Sequence, residues 1–159
     1  MEVKVTGTKH ELFLEGPISE KTSVYDYNLK NATEVVLDMQ KVTFINSIGV
    51  KNWILWTMRV PEAASITLLN CPFVIVSQAS MVQGFLPVRA RIQSFYAPFV
   101  CPDCGAEHIE KLFMGKHYHY AGSEKGRSLE LPVLNCPKCK AEMETDFIEA
   151  KAFTFLDPK

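Results

Sequence analysis

Two short segments, Cys-Pro-Asp-Cys-Gly at 101–105 and Cys-Pro-Lys-Cys-Lys at 136–140, constrain this chain more than any other feature. Thiols separated by two residues on a tight turn can both point at one ion, and the N–H groups of the turn can bond to the sulfurs. Two such turns offer four soft ligands, Cys101, Cys104, Cys136 and Cys139, in the tetrahedral array that suits Zn²⁺. The 31 residues between the knuckles exceed the usual spacing, and a hairpin insertion accommodates them. Disulfides and a redox Cys-x-x-Cys pair compete for the same residues, and iron would take an identical ligand set.

Compartment weighs on that choice. The N-terminus has no apolar core after a basic start, and the most apolar run, Phe44 to Val60, is broken by Asn46, Lys51, Asn52 and Arg59. The chain is therefore expected in the cytoplasm, where thiols stay reduced and a metal is favoured over disulfides. Four cysteine ligands close the coordination shell, so the expected role is structural, one Zn²⁺ stabilising a module too small to fold on its own core. His108, His117 and His119 read as exposed strand histidines, because no carboxylate pairs with them at metal-binding spacing. Cys71, before Pro72, reads as a small buried residue.

The second organising stretch is Glu34 to Val60. Val35 to Leu37 has the β-branched and aliphatic composition of a strand buried on both faces. Asn46-Ser47 can cap a helix running from about Ile48 to Arg59 and stopping before Pro61. Trp53 and Trp56, with Ile54 and Leu55, make that helix apolar over most of its circumference. The tryptophans are expected in the core, and the remaining face either lies under the cysteine module or is left as a docking surface.

Val-Val-Leu-Asp-Met-Gln-Lys-Val-Thr-Phe-Ile-Asn-Ser-Ile-Gly-Val (35–50) resembles the signature of STAS domains, the fold of bacterial anti-sigma-factor antagonists and of sulfate-transporter tails. The resemblance covers about residues 1 to 97. Asn46 stands where the family usually has Asp, and Ile48 where its phosphorylatable Ser or Thr sits. The resemblance implies a partner-docking surface around the turn and the following helix: Asn46, Ser47, Gly49, Lys51 and Asn52. Ser47 reads first as a helix cap and is the acceptor if a kinase acts here. The cysteine pattern, with Gly105 after the first knuckle, resembles zinc ribbons.

The remaining elements follow in order. Val3 and Val5, then Leu12 and Leu14, alternate with polar residues about Gly7, giving a hairpin of half-buried strands closed by Gly16-Pro17. A helix is expected from Ser19 to about Leu29 with Asn31 as its left-handed stop. A strand follows at Ser65–Leu69, then a helix opened by Pro72 that buries Phe73, Val74, Val76, Met81 and Val82 and closes at Gly84. A last strand spans Arg89 to Phe99. This order predicts an α/β fold, a mixed sheet with helices packed on it, over residues 1–99, and a small β-rich zinc-ribbon module over 100–159. In the module His117–Tyr120 alternates as an exposed strand would, Gly122–Gly126 is a loop, and Met143–Phe155 alternates acidic and apolar residues.

Charge narrows the function. Residues 1–99 carry nine Lys/Arg against eight Asp/Glu, and residues 100–159 carry eight against ten, so neither part has the basic excess of a phosphate-backbone binder. With no acid–base or nucleophile constellation, the expected function is non-enzymatic: a regulatory protein in bacterial signalling or transcription that binds a protein partner, with self-association open. The alternative is a ribbon contact to nucleic acid or the transcription machinery.

Overall fold

The computed structural model describes residues 1–159. Strands β1 (Glu2–Thr6) and β2 (Lys9–Ile18) form an antiparallel hairpin about Gly7, whose φ of 61° favours glycine. Strands β3 (Glu34–Ile45), β4 (Ser65–Leu69) and β5 (Arg91–Ile92) then join in parallel, in the order β1-β2-β3-β4-β5. Parallel neighbours need long crossovers, supplied here by helices α1 (Ser47–Thr57) and α2 (Phe73–Met81). The fold is thus α/β with a mixed sheet.

The chain then leaves this sheet. β6 (Ser94–Val100) pairs antiparallel with β7 (Glu107–Phe113) and with the short β10 (Glu144–Thr145). β8 (Tyr118–His119) pairs with β9 (Ser128–Leu129), and a single-turn helix α3 (Glu149–Ala152) follows β10. One continuous apolar cluster runs through both sheets. It takes Leu12, Leu37 and Leu68 from the first, Trp53 and Trp56 from α1, and Phe95, Leu112, Phe153 and Leu156 from the second part. Both tryptophans are core residues, their rings 5.4 Å apart, with Phe85 stacked at 6.1 Å on Trp53.

Several expectations are corrected. No helix covers Ser19–Leu29; only a 3-10 turn, Ser23–Asp26, forms. Thr22 Oγ1 accepts from Ser19 N at 2.7 Å, and such local side-chain bonds compete with helix formation. Asn31 is not left-handed, whereas Asn70 is, at φ 54°. Gly16-Pro17 does not end β2, which passes through a register irregularity and runs on to Ile18. β1 is exposed throughout, Val3 and Val5 included, because it is the sheet edge. Arg89–Phe99 divides into β5 and β6, and Met81 projects into solvent.

The largest correction concerns His117–Tyr120, which is buried rather than an exposed strand. Tyr118 donates its hydroxyl to the Ile92 carbonyl at 2.6 Å, and the Tyr120 hydroxyl accepts from Ile92 N at 2.8 Å. Two phenols therefore satisfy an edge-strand residue that no sixth strand pairs, and they cover that edge. Burial pushes both hydroxyls far above the ordinary tyrosine value of 10.0. Below pH 10 these tyrosines stay protonated in both states and their stabilisation is intact. Above it the unfolded chain ionises while the folded chain cannot, so stability falls as pH rises. Urea midpoints between pH 8 and 11 are expected to drop above pH 10, with a shallower slope in Tyr118→Phe.

Candidate metal centre and docking corner

The two knuckles repeat one backbone device. Cys101 N donates to Ala106 O at 2.8 Å and Gly105 N to Cys101 O at 2.9 Å. Cys136 N donates to Ala141 O at 2.7 Å and Lys140 N to Cys136 O at 3.0 Å. Gly105 and Lys140 occupy equivalent positions, with φ of 77° and 68°. For Lys140 that left-handed conformation costs about 1–2 kcal/mol, which the closed site must outweigh. β6 and β7 position the first knuckle between them, and the second lies just before β10, beside the Asn135–Glu142 bridge.

These turns bring all four sulfurs within 4.8 Å of one another, with Cys101–Cys139 at 3.4 Å and Cys104–Cys136 at 3.5 Å. No disulfide joins them. Thiolates at about 2.3 Å from a tetrahedral ion stand roughly 3.8 Å apart, so this cluster is of the size that holds one metal ion. The Cys139 N–H and then the Lys138 N–H draw the Cys136 thiol down to about 6, and Lys138 N lies 3.4 Å from that sulfur. Donors aimed at sulfur favour the thiolate that a metal needs. Cys101 and Cys136 are buried while Cys104 and Cys139 face solvent, which gives the ion a route in.

The histidines stand apart from this cluster. His108 is exposed, 3.1 Å from Glu110. His117 accepts from Phe113 N at 2.9 Å, and burial holds it below its ordinary value. His119 is engaged by Ser128 at 3.0 Å. Cys71 is fully buried, its thiol pushed up by burial.

The other site expected from the sequence is the corner between β3 and α1. Asn46, rather than Ser47, caps the helix: its Oδ1 accepts from Gly49 N at 2.7 Å. Its amide nitrogen reaches Glu20 at 3.4 Å, so a phosphate on Ser47 would meet a carboxylate beside the helix end that favours it. Ser47 and Lys51 are exposed, and Asn46 and Asn52 are half-buried. Gly49 is buried against the backbone of Ile18, so it sets the corner's shape and offers a partner no surface. Missed from the sequence were Ile48, Leu55 and Met58, which line the outer face of α1. Their spacing was visible, but which face the sheet would take was not.

Comparison of the chain with protein-family models, curated proteins and solved structures finds no match. What the chain can do is read from its own geometry: a closed four-sulfur cluster and an apolar helix face beside a capped corner. No helix is long and apolar enough to cross a membrane.

Proposed function

We propose that this chain is a non-enzymatic regulatory or scaffolding protein. In this reading residues 1–99 are a STAS-like domain, residues 100–159 a zinc ribbon whose one Zn²⁺ is structural, and the protein acts in bacterial signalling through contact with a protein partner. The observation that carries it is the outer face of α1. Ile48, Leu55 and Met58 stand 53%, 53% and 73% exposed on one side of the helix, with Lys51 among them and the Asn46 corner at its start. Fully burying such side chains is worth about 1.5–3 kcal/mol each, stabilisation that a docked partner supplies. The second part of the chain packs against α2 and β4 and leaves this face open.

An antiparallel hairpin followed by parallel β-α-β units supports the STAS-like reading of the sheet. Four thiolates suit Zn²⁺ and leave no open coordination position, and the remaining cysteine is buried, so neither provides a reacting group.

The test is affinity purification from the source cell with the wild-type chain and with Ile48→Asp/Leu55→Asp. A protein retained by the first, lost by the second, and lost without a change in melting temperature is the expected result. No retained protein and no self-association by sedimentation would overturn the reading.

A further inference from the structure

A cleft of about 400 Å³ opens where β5 meets the loops flanking β8, lined by Arg91, Met114, Gly115, His119, Tyr120 and Gly122 among others. Arg91 is half-buried there, its guanidinium 4.6 Å from the centre of the Tyr120 ring. Only Nη1 is used, donating to the carbonyls of Val88 at 2.8 Å and Ala90 at 3.0 Å. Nε and Nη2 have no acceptor in the chain, and Arg91 takes part in none of the three ion pairs. An unpaired guanidinium held off full hydration by an aromatic wall is a built cation.

Two further donors line the same cleft. His119 is only 9% exposed and its Nδ1 is bonded to Ser128 Oγ at 3.0 Å. Nε2 has no partner in the chain, and the tautomer in which the Ser128 hydroxyl donates to Nδ1 makes that nitrogen a donor into the cleft. The Gly122 N–H likewise has no acceptor. No carboxylate lines the cleft, while Met114, Ala121 and the Tyr120 ring supply apolar wall.

We propose that this cleft binds an oxyanion, a carboxylate or phosphate monoester, carried on a small apolar or aromatic body. The free edge of the Arg91 fork takes two oxygens, as guanidinium does with planar or tetrahedral oxyanions. His119 Nε2–H and Gly122 N–H complete the donor set, and the body packs on Met114 and Ala121. The volume is within the range of small-molecule sites. The proposal depends neither on the α1 docking face nor on the identity of the metal.

The test is an amide and arginine-side-chain NMR titration of the full metal-loaded chain with benzoate, phenyl phosphate and inorganic phosphate, with sodium chloride as the ionic-strength control. Saturable shifts are expected at Arg91, Gly115, His119, Tyr120 and Gly122, with at least one organic anion binding tighter than inorganic phosphate. Whichever of benzoate or phenyl phosphate binds tighter names the oxyanion. Arg91→Gln is expected to weaken binding about 10- to 100-fold. His119→Gln, which keeps a donor, weakens it less than His119→Phe does, and this pair decides the matter if Arg91→Gln does not fold. Shifts that merely track the chloride control, or Arg91→Gln and His119→Phe variants that bind as the wild type, would overturn the proposal.

Discussion

Cys136→Ser is expected to abolish metal retention and to unfold the chain as one unit, the largest effect of any single substitution here. Cys136 is fully buried, its sulfur lies 3.5 Å from that of Cys104 across the cluster, and the Cys139 and Lys138 N–H groups favour its thiolate. Structural zinc binding is worth about 10–16 kcal/mol in small modules, against a net stability of about 5–15 kcal/mol for a typical domain. Loss of the ion is therefore of the same order as the whole net stability of a folded chain. The damage spreads because the core is shared: Phe95 packs against Phe153 and Phe155, and Thr154 and Ser80 bond the C-terminal segment to α2. Wild-type protein is expected to be colourless with one zinc per chain by elemental analysis, and chelation or acid, which protonates the thiolates, should give a single cooperative loss of near-ultraviolet dichroism. Cys71→Ala, outside the cluster, keeps the metal. A metal-free wild type that melts at the same temperature as the metal-loaded form would refute the structural role.

Gly49→Ala is the second large effect, expected to cost at least about 3 kcal/mol. A Cβ at Gly49 would lie 2.7 Å from the Ile18 carbonyl carbon and closer still to its oxygen, both backbone atoms that no rotamer change can move. Alanine improves helix propensity by about 1 kcal/mol, and the sign of the outcome rests on overpacking winning that contest. To relieve the clash α1 must lift from β2, stretching the Asn46 N–Ile18 O bond of 3.2 Å and disturbing the Tyr25 hydroxyl bond to the Gly49 carbonyl. Urea denaturation measures the cost, and equal midpoints for variant and wild type would show that the close approach does not exist. The same substitution displaces the α1 face, so it should weaken partner capture even where the chain remains folded.

Much of this was legible in one dimension because it is set by local chemistry. The β1–β2 hairpin, β4 at Ser65–Leu69, the capped start of α1 and the opening of α2 after Pro72 follow from alternation, capping and proline, which act over a few residues. The four ligands were legible too, since a Cys-x-x-Cys turn constrains its own sulfurs before any fold exists. Ser19–Leu29 failed for the complementary reason: its apolar spacing suited a helix, yet the Thr22 side chain and packing of Val24 into the core favoured a single turn.

Residue order by itself determined the α/β class through its succession of strand and helix patterns, and it determined two cysteine knuckles and a capped helix after β3, because each of these is decided by neighbours within a turn. Only the tertiary structure decided which side of α1 faces outward, that Gly49 is a contact rather than a surface, and that Tyr118 and Tyr120 turn inward to serve Ile92. Those outcomes depend on groups 26 to 31 residues apart competing for the same buried backbone and apolar area, a competition that periodicity does not record.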